Sequence, residues 1–495
     1  MTFENSDKLL CRMGCVDISG NKVKIAGKEF DFWTKHYGLP LHINFESAII
    51  KNIKDFRGAF SDLYPKGKVC FSLKTYPHPR MAKLCAEQGI GADVVSTNEL
   101  RCALEAGITH KHIDLNGNAK THGLMKEAIE NGVTMVADNI DDFKMIHSVA
   151  KALGLKARML LRVSGFPVDG ATEDSVLTAN EWTKFGEHLD HVPAFVKTLK
   201  KYPYADFLGF HTHIGTQITE LEVYLTVLKE LIRISALLKE QGITCKALSI
   251  GGGFPVQYVN QKEWQAVCEA IQAGVKDPSK AVLWRASCGG FKKKKDGSYD
   301  FSRWYGEQFY TKYPKAKMLK KILEADIDFN GALISVPNAL KKIGAPEFII
   351  EPGRSIVADS GITLSRVAYT RKVVGHNLVN VYMGATAIGE SLFYPNLKKW
   401  MILDDHKKLA AKPYECFIAG NLCFSGDMLS KYKIPLQRKP KYKETLITFD
   451  TGGTGQHFVA ANPNSFPRTP RILIKTDGTL TIVRKRDTYE DIFCL

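Results

Sequence analysis

The chain has 495 residues, 44% hydrophobic and 24% charged, a balance that excludes a disordered, fibrous or membrane-embedded protein. That length calls for two cores, or one large α/β barrel with an addition. A formal charge of +16 would suit a polyanion, but the basic run 292–295 adjoins Asp296-Gly297 in a turn-like stretch and accompanies no nucleic-acid-binding motif. It reads as a solvated loop, and no nucleic-acid partner is expected.

The N-terminus lacks the apolar stretch of a signal peptide, and no later run is long enough to span a membrane. A cytoplasmic protein without a membrane partner is expected. Eleven Cys without CxxC pairs or His-flanked spacing fit reduced thiols better than disulfides, and no metal site is expected.

In chain order, residues 1–40 hold NKVKIAG and the helix-like DFWTKHYG and read as a segment joining a later β domain. Eight short apolar runs follow, at 68–74, 91–95, 112–117, 134–139, 158–163, 208–215, 247–253 and 348–353, most of them leading into an amphipathic stretch with helical spacing. Eight such units predict an α/β fold, a closed (β/α)8 TIM-type barrel over 41–360. An open doubly wound sheet would want its glycine-rich turn after the first strand, whereas GGG follows the seventh. The long gap before the eighth run implies an insertion at about 278–345. From 361 to 495, strand runs with turns predict a mostly β C-terminal domain.

The chemistry-bearing residues fall at the strand C-terminal ends, where a barrel places its site. Lys74 ends the first strand, with its amine directed toward the cavity, which suits imine formation with an aldehyde. Gly251, Gly252 and Gly253 after the seventh strand, with Arg354 after the eighth, suit a phosphate. Glu351 would be a costly buried charge unless it met a proton or cation, and a protonated pyridine nitrogen satisfies it. His213 ends the sixth strand, placed to cover a flat ring or to serve as a bonded core histidine.

These strings, with DFWTKHYGLPLHINFES, GADVVSTNEL, FHTHIGTQI, EPGRSIVA, GNLCFSGDML and RKRDTYEDIF, resemble the fold-type III pyridoxal-phosphate decarboxylases, which include diaminopimelate and ornithine decarboxylases, over nearly the whole chain. The resemblance implies pyridoxal 5'-phosphate as cofactor and Lys74 as its Schiff-base lysine. It places His213 on the ring, Glu351 on the ring nitrogen, Asp93 in the cofactor site, and Thr216, the three glycines, Gly353 and Arg354 around the phosphate. It also implies an amino-acid substrate, loss of CO2, and a homodimer with shared active sites in which Cys423 enters from the second subunit and handles protonation.

Departures from the family pattern stand at Phe424, where an acidic residue is usual, and near Gly389 and Phe393, where an arginine and a tyrosine would grip a distal carboxylate. They argue against meso-diaminopimelate and toward a specialised substrate, a D-amino acid or a modified diamino acid, met by Phe393, Phe424 and Asp427, with Glu390 as a further amine contact. Thr454 replaces a cofactor-contacting tyrosine, with His457 or Tyr394 as possible compensation. Diaminopimelate decarboxylase proper, an amino-acid racemase on the same barrel and a non-catalytic relative are the alternatives. Glu351, rather than an arginine, favours decarboxylation over racemisation.

Overall fold

The computed structural model describes residues 16–19, 22–168, 177–302, 304, 306, 308–389, 392, 397–403, 412–457 and 459–495. Contacts divide the chain into two compact units: Asn52–Val256 with Thr311–Ile356, and Met1–Lys51 with Gln257–Tyr310 and Val357–Leu495.

The first unit is a parallel barrel of β1 (Gly67–Ser72), β2 (Gly91–Val94), β3 (Ile113–Leu115), β4 (Thr134–Ala137), β5 (Ala157–Ser164), β6 (Ala205–His211), β7 (Ala247–Ser249) and β8 (Glu347–Ile350). Each strand pairs in parallel with the next, β8 pairs with β1, and β4 pairs with β5, so the ring closes. The eight predicted runs are these eight strands. Seven of the runs overreach at their C-terminal ends, because residues freed from the ladder turn into the loops that carry the site, whereas 158–163 lies inside β5.

Short, well-signalled helices follow the early strands. Pro79–Glu87 starts with Pro at its first turn, while Thr97–Glu105, His122–Glu130 and Ile140–Leu153 are capped by the side chains of Ser96, Thr121 and Asn139. Inside the ring, Cys70, Val136, Leu160, Leu208, Ala247 and Ile349 form a buried apolar layer. Below it, buried Lys68 bonds Asp114 at 2.9 Å, and the Cys70 thiol donates to the same carboxylate at 3.2 Å.

The second unit is built on a sheet in the order Met428–Leu436, Tyr414–Ala419, His376–Val381, Gly361–Val373, Leu41–Phe45, Arg471–Ile474 and Leu480–Arg484. Leu41–Phe45 was expected to open the barrel at residue 41. It is instead a fully buried strand between Gly361–Val373 and Arg471–Ile474, and Leu41, Ile43 and Phe45 pack with Trp33, Ile362, Ile447 and Ile472.

The expected insertion at 278–345 is divided between the units. Residues 257–310 join the β unit, where Lys433 N–H donates to Val282 O and Trp284 packs edge-on against Phe417. The helices Ala316–Glu324 and Val336–Lys342 belong to the barrel unit. Within the insertion, Lys292–Lys293 pairs with Tyr299–Asp300 in a two-residue hairpin, and all four lysines of the run 292–295 are exposed. Among the described residues no helix is long and apolar enough to cross a membrane.

Candidate active site

The C-terminal ends of the barrel strands converge on Glu351. This carboxylate is buried one residue after β8, and three strands supply its partners. His211 Nε2 lies 3.0 and 3.1 Å from its two oxygens, Ser249 Oγ donates at 3.3 Å and Asn116 Nδ2 at 3.4 Å. Burial alone would raise this carboxyl, but His211, by charge and hydrogen bond, with His213 and Asn116, brings it down to about 2.

Asn116 also donates to Asp93 at 2.7 Å, and Ser72 Oγ donates to the other Asp93 oxygen at 2.5 Å. Burial and then the neighbouring Glu351 push Asp93 up to about 6, against the pull of Lys74, Ser72 and Asn116. Two carboxyls joined through one amide therefore divide their roles: Glu351 stays ionised, while Asp93 takes up a proton as the pH falls below about 6.

The glycine turn is dictated by close approach. A Cβ at Gly251 would lie 2.5 Å from Thr212 O, one at Gly252 2.5 Å from Glu351 O, and one at Gly253 2.7 Å from Gly215 O. Gly251 and Gly253 also sit at φ +66° and +86°, conformations costly for other residues. Two of the three amides are already engaged, Gly251 N–H with Ser249 Oγ at 3.2 Å and Gly252 N–H with His213 Nδ1 at 3.0 Å.

As an acceptor at Nδ1, His213 carries any neutral-ring proton on Nε2. Burial, then Lys74 and Arg162, hold its pKa well below the usual histidine value. Gly353 passes so close over the first strand's end that a Cβ there would meet Thr75 at 2.5 Å. Half-buried Arg354 opens the short helix Arg354–Val357, and half-buried Thr216 lies on the loop after β6.

Lys74 departs from expectation. It sits on the 3-10 turn Leu73–Thr75, whose flanking residues are buried while Lys74 is exposed, because the turn lifts it beyond Ser72, the last residue of β1. Its charge nevertheless acts on Asp93, Glu99 and His213.

In the β unit, Cys423 and Phe424 are exposed on one loop, and Cys423 N–H donates to Asn464 Oδ1 at 2.8 Å. Asp427, expected to meet a substrate amine, does not offer its carboxylate: Oδ1 accepts Ala385 N–H at 2.5 Å and Oδ2 accepts Leu422 N–H at 2.7 Å. It ties two loops together, and the side chain is buried. Thr454 begins the short helix Thr454–His457. Phe393, Glu390 and Tyr394 lie outside the described residues.

Sequence reasoning missed His211, Asn116, Ser72, Ser249 and Arg162. All sit within predicted strands, and a polar residue at the end of an otherwise apolar run was the signal. His211 is the last residue of β6, and His213 lies two residues beyond it on the following loop. Arg162, buried at the end of β5 beside His211, stacks on Phe185 at 4.3 Å.

The family described as pyridoxal-dependent decarboxylase, pyridoxal binding domain, matches residues 46–282. Over that segment the chain is similar to the pyridoxal-binding domain of the pyridoxal-dependent decarboxylases. It is 27% identical to the diaminopimelate decarboxylase of Bacillus subtilis, over 95% of this chain and 94% of that protein. The Halalkalibacterium halodurans protein of the same name is also 27% identical, over 92% and 91%. Among solved structures, diaminopimelate decarboxylase from M. jannaschii in complex with L-lysine superposes with a TM-score of 0.75 at 24% identity, covering 97% of both chains. Lysine/ornithine decarboxylase from Vibrio vulnificus, complexed with putrescine, gives 0.63 at 17% identity, covering 91% of this chain and 97% of that one. At these identities the structures establish the fold.

The enzyme is thus a carboxy-lyase acting on an amino acid, with pyridoxal 5'-phosphate as cofactor. The residues present fit that group: an ionised buried carboxylate for the ring nitrogen, and a glycine turn that side chains would fill. The reading against meso-diaminopimelate is corrected. Relatives matching nearly the whole chain carry the name diaminopimelate decarboxylase, and the contrary argument leaned on a few side chains: Phe424 is exposed and Phe393 lies outside the described residues.

Proposed function

We propose that the chain is a cytoplasmic homodimeric decarboxylase that converts meso-diaminopimelate to L-lysine and CO2. The observation that carries this is the end-to-end match to diaminopimelate decarboxylases, joined to a barrel that presents an ionised Glu351 beside a glycine turn. When bound, pyridoxal phosphate accepts the electron pair released as the carboxylate departs. In this reading Lys74 holds the aldehyde carbon, and Gly251 to Gly253, Gly353, Arg354, Thr216 and Thr454 surround the phosphate. Glu351, kept anionic by His211, holds the proton of the ring nitrogen. His213 covers the ring face, and Asp93 shares the Asn116 bridge with Glu351. Cys423 of the second subunit returns a proton to the substrate carbon, and Phe424 lines the same mouth.

Purified enzyme given cofactor and meso-diaminopimelate should release CO2 and lysine in equal amounts. It should absorb near ~420 nm, the band of a cofactor joined to lysine. Lys74→Ala should lose both the band and turnover. A cofactor-loaded protein that forms no lysine sinks the proposal.

A further inference from the structure

Asn116 stands between the two buried carboxyls of the barrel mouth, and its backbone fixes where its side chain starts. It follows β3 directly, and its N–H donates to Val94 O at 2.8 Å, which ties it to the end of β2 beside Asp93. From there one NH2 group directs both protons to acids: Nδ2 donates to Asp93 Oδ1 at 2.7 Å and to Glu351 Oε1 at 3.4 Å. The Oδ1 of the same amide is buried and has no hydrogen-bond partner among the described residues. Turning the amide over would set that oxygen against two carboxylates, so its unmade bond follows from the demand of the acids.

The remaining contacts separate the oxygens of each acid. Asp93 Oδ2 meets the Ser72 hydroxyl at 2.5 Å. A hydroxyl can donate or accept, whereas an amide NH2 only donates. A proton on Asp93 therefore belongs on Oδ2, where Ser72 turns to accept it. At Glu351, Oε1 faces Asn116, Ser249 and His211, while Oε2 has His211 alone, at 3.1 Å, among the described residues.

We infer that Asn116 is a positioning residue that sorts protons between these carboxyls: a donor to one oxygen of each, it directs the proton of Asp93 to Oδ2 and leaves Glu351 Oε2 open for the cofactor's ring nitrogen. The inference rests on the proposed placement of Glu351 at that nitrogen. The other ionisable groups facing the pair are Cys70 and Lys74 on and beyond β1, Arg162 on β5, and His211 and His213 on and beyond β6. Burial and then Glu351 lift Asp93 to about 6, while the Asn116 hydrogen bonds pull both acids down. Removing the amide takes a donor from the ionised form of Asp93 and raises it further.

The test follows Asp93 in cofactor-free enzyme carrying 13C-labelled aspartate, by infrared titration of the protonated carboxyl's C=O stretch. The component missing in Asp93→Asn is assigned to Asp93. The parent midpoint is expected at about 6, and Asn116→Leu should move it up by about one pH unit. Asn116→Ala, with less bulk, is a second variant with the same expected direction. In cofactor-loaded enzyme the acid limb of kcat/KM should rise in step. A purely structural role would lower the thermal midpoint without moving the titration. An Asp93 midpoint unchanged from the parent in a folded variant overturns the inference. This readout needs neither cofactor nor substrate, so its failure is distinct from a failure to form lysine, which tests the proposed function.

Discussion

Glu351 gathers more of the candidate site than any other side chain described, and its partners act by stabilising its charge. Glu351→Gln keeps the shape but removes the anion, so His211 faces a neutral amide and a bound ring loses the group that holds its nitrogen proton. Turnover should fall by roughly 100-fold or more while cofactor still binds, as measured by steady-state kinetics beside the absorbance band. A second titration belongs to stability. His457 stays neutral in the folded protein down to about 4, whereas an unfolded histidine titrates near 6.5. Between those values the unfolded chain binds more protons, so stability is intact above the window and declines as pH falls through it. Urea midpoints compared at pH 8 and pH 5 should drop less for His457→Gln than for the parent.

At the scale of elements, the glycine turn and the barrel strands were the most legible features. Alternating apolar runs and helical stretches gave the strand count, and GGG marked the seventh loop because the carbonyls of Thr212, Gly215 and Glu351 crowd it. Gly252→Ala isolates that crowding, since Gly252 has an ordinary φ and only its Cβ, 2.5 Å from Glu351 O, is at fault. It should cost about 2–4 kcal/mol of stability and weaken cofactor retention, read from thermal unfolding and dialysis. Other features were hidden for physical reasons. Strand Leu41–Phe45 lies far in sequence from its partners, so no local period announces which sheet it joins. Asp427 looked like a substrate contact because spacing cannot reveal that two backbone amides already occupy its oxygens. His211 lay within a predicted strand, yet its bond to Glu351 spans 140 positions.

For the whole molecule, the substrate was the least legible property. A few changed positions outweighed, in the sequence reading, a resemblance extending along the entire chain, and the comparison with named relatives reversed that weighting. The proposed sharing of Cys423 between subunits has its own test. Lys74→Ala and Cys423→Ala proteins, each inactive, should on mixing and exchange recover about a quarter of parental activity, because half the dimers then hold one intact site of two. No recovery after demonstrated subunit exchange would place both residues in one subunit's site.

The closing of the ring between β4 and β5 carries a consequence for how this enzyme acquires its cofactor. Ser72, Asp93, Asn116, Arg162, His211, Ser249 and Glu351 each ride on or just beyond a different strand, so no fragment short of the full circle holds the constellation together. Affinity for pyridoxal phosphate should therefore appear late in folding and abruptly. During denaturation, loss of the coloured band and loss of barrel helicity should share one midpoint.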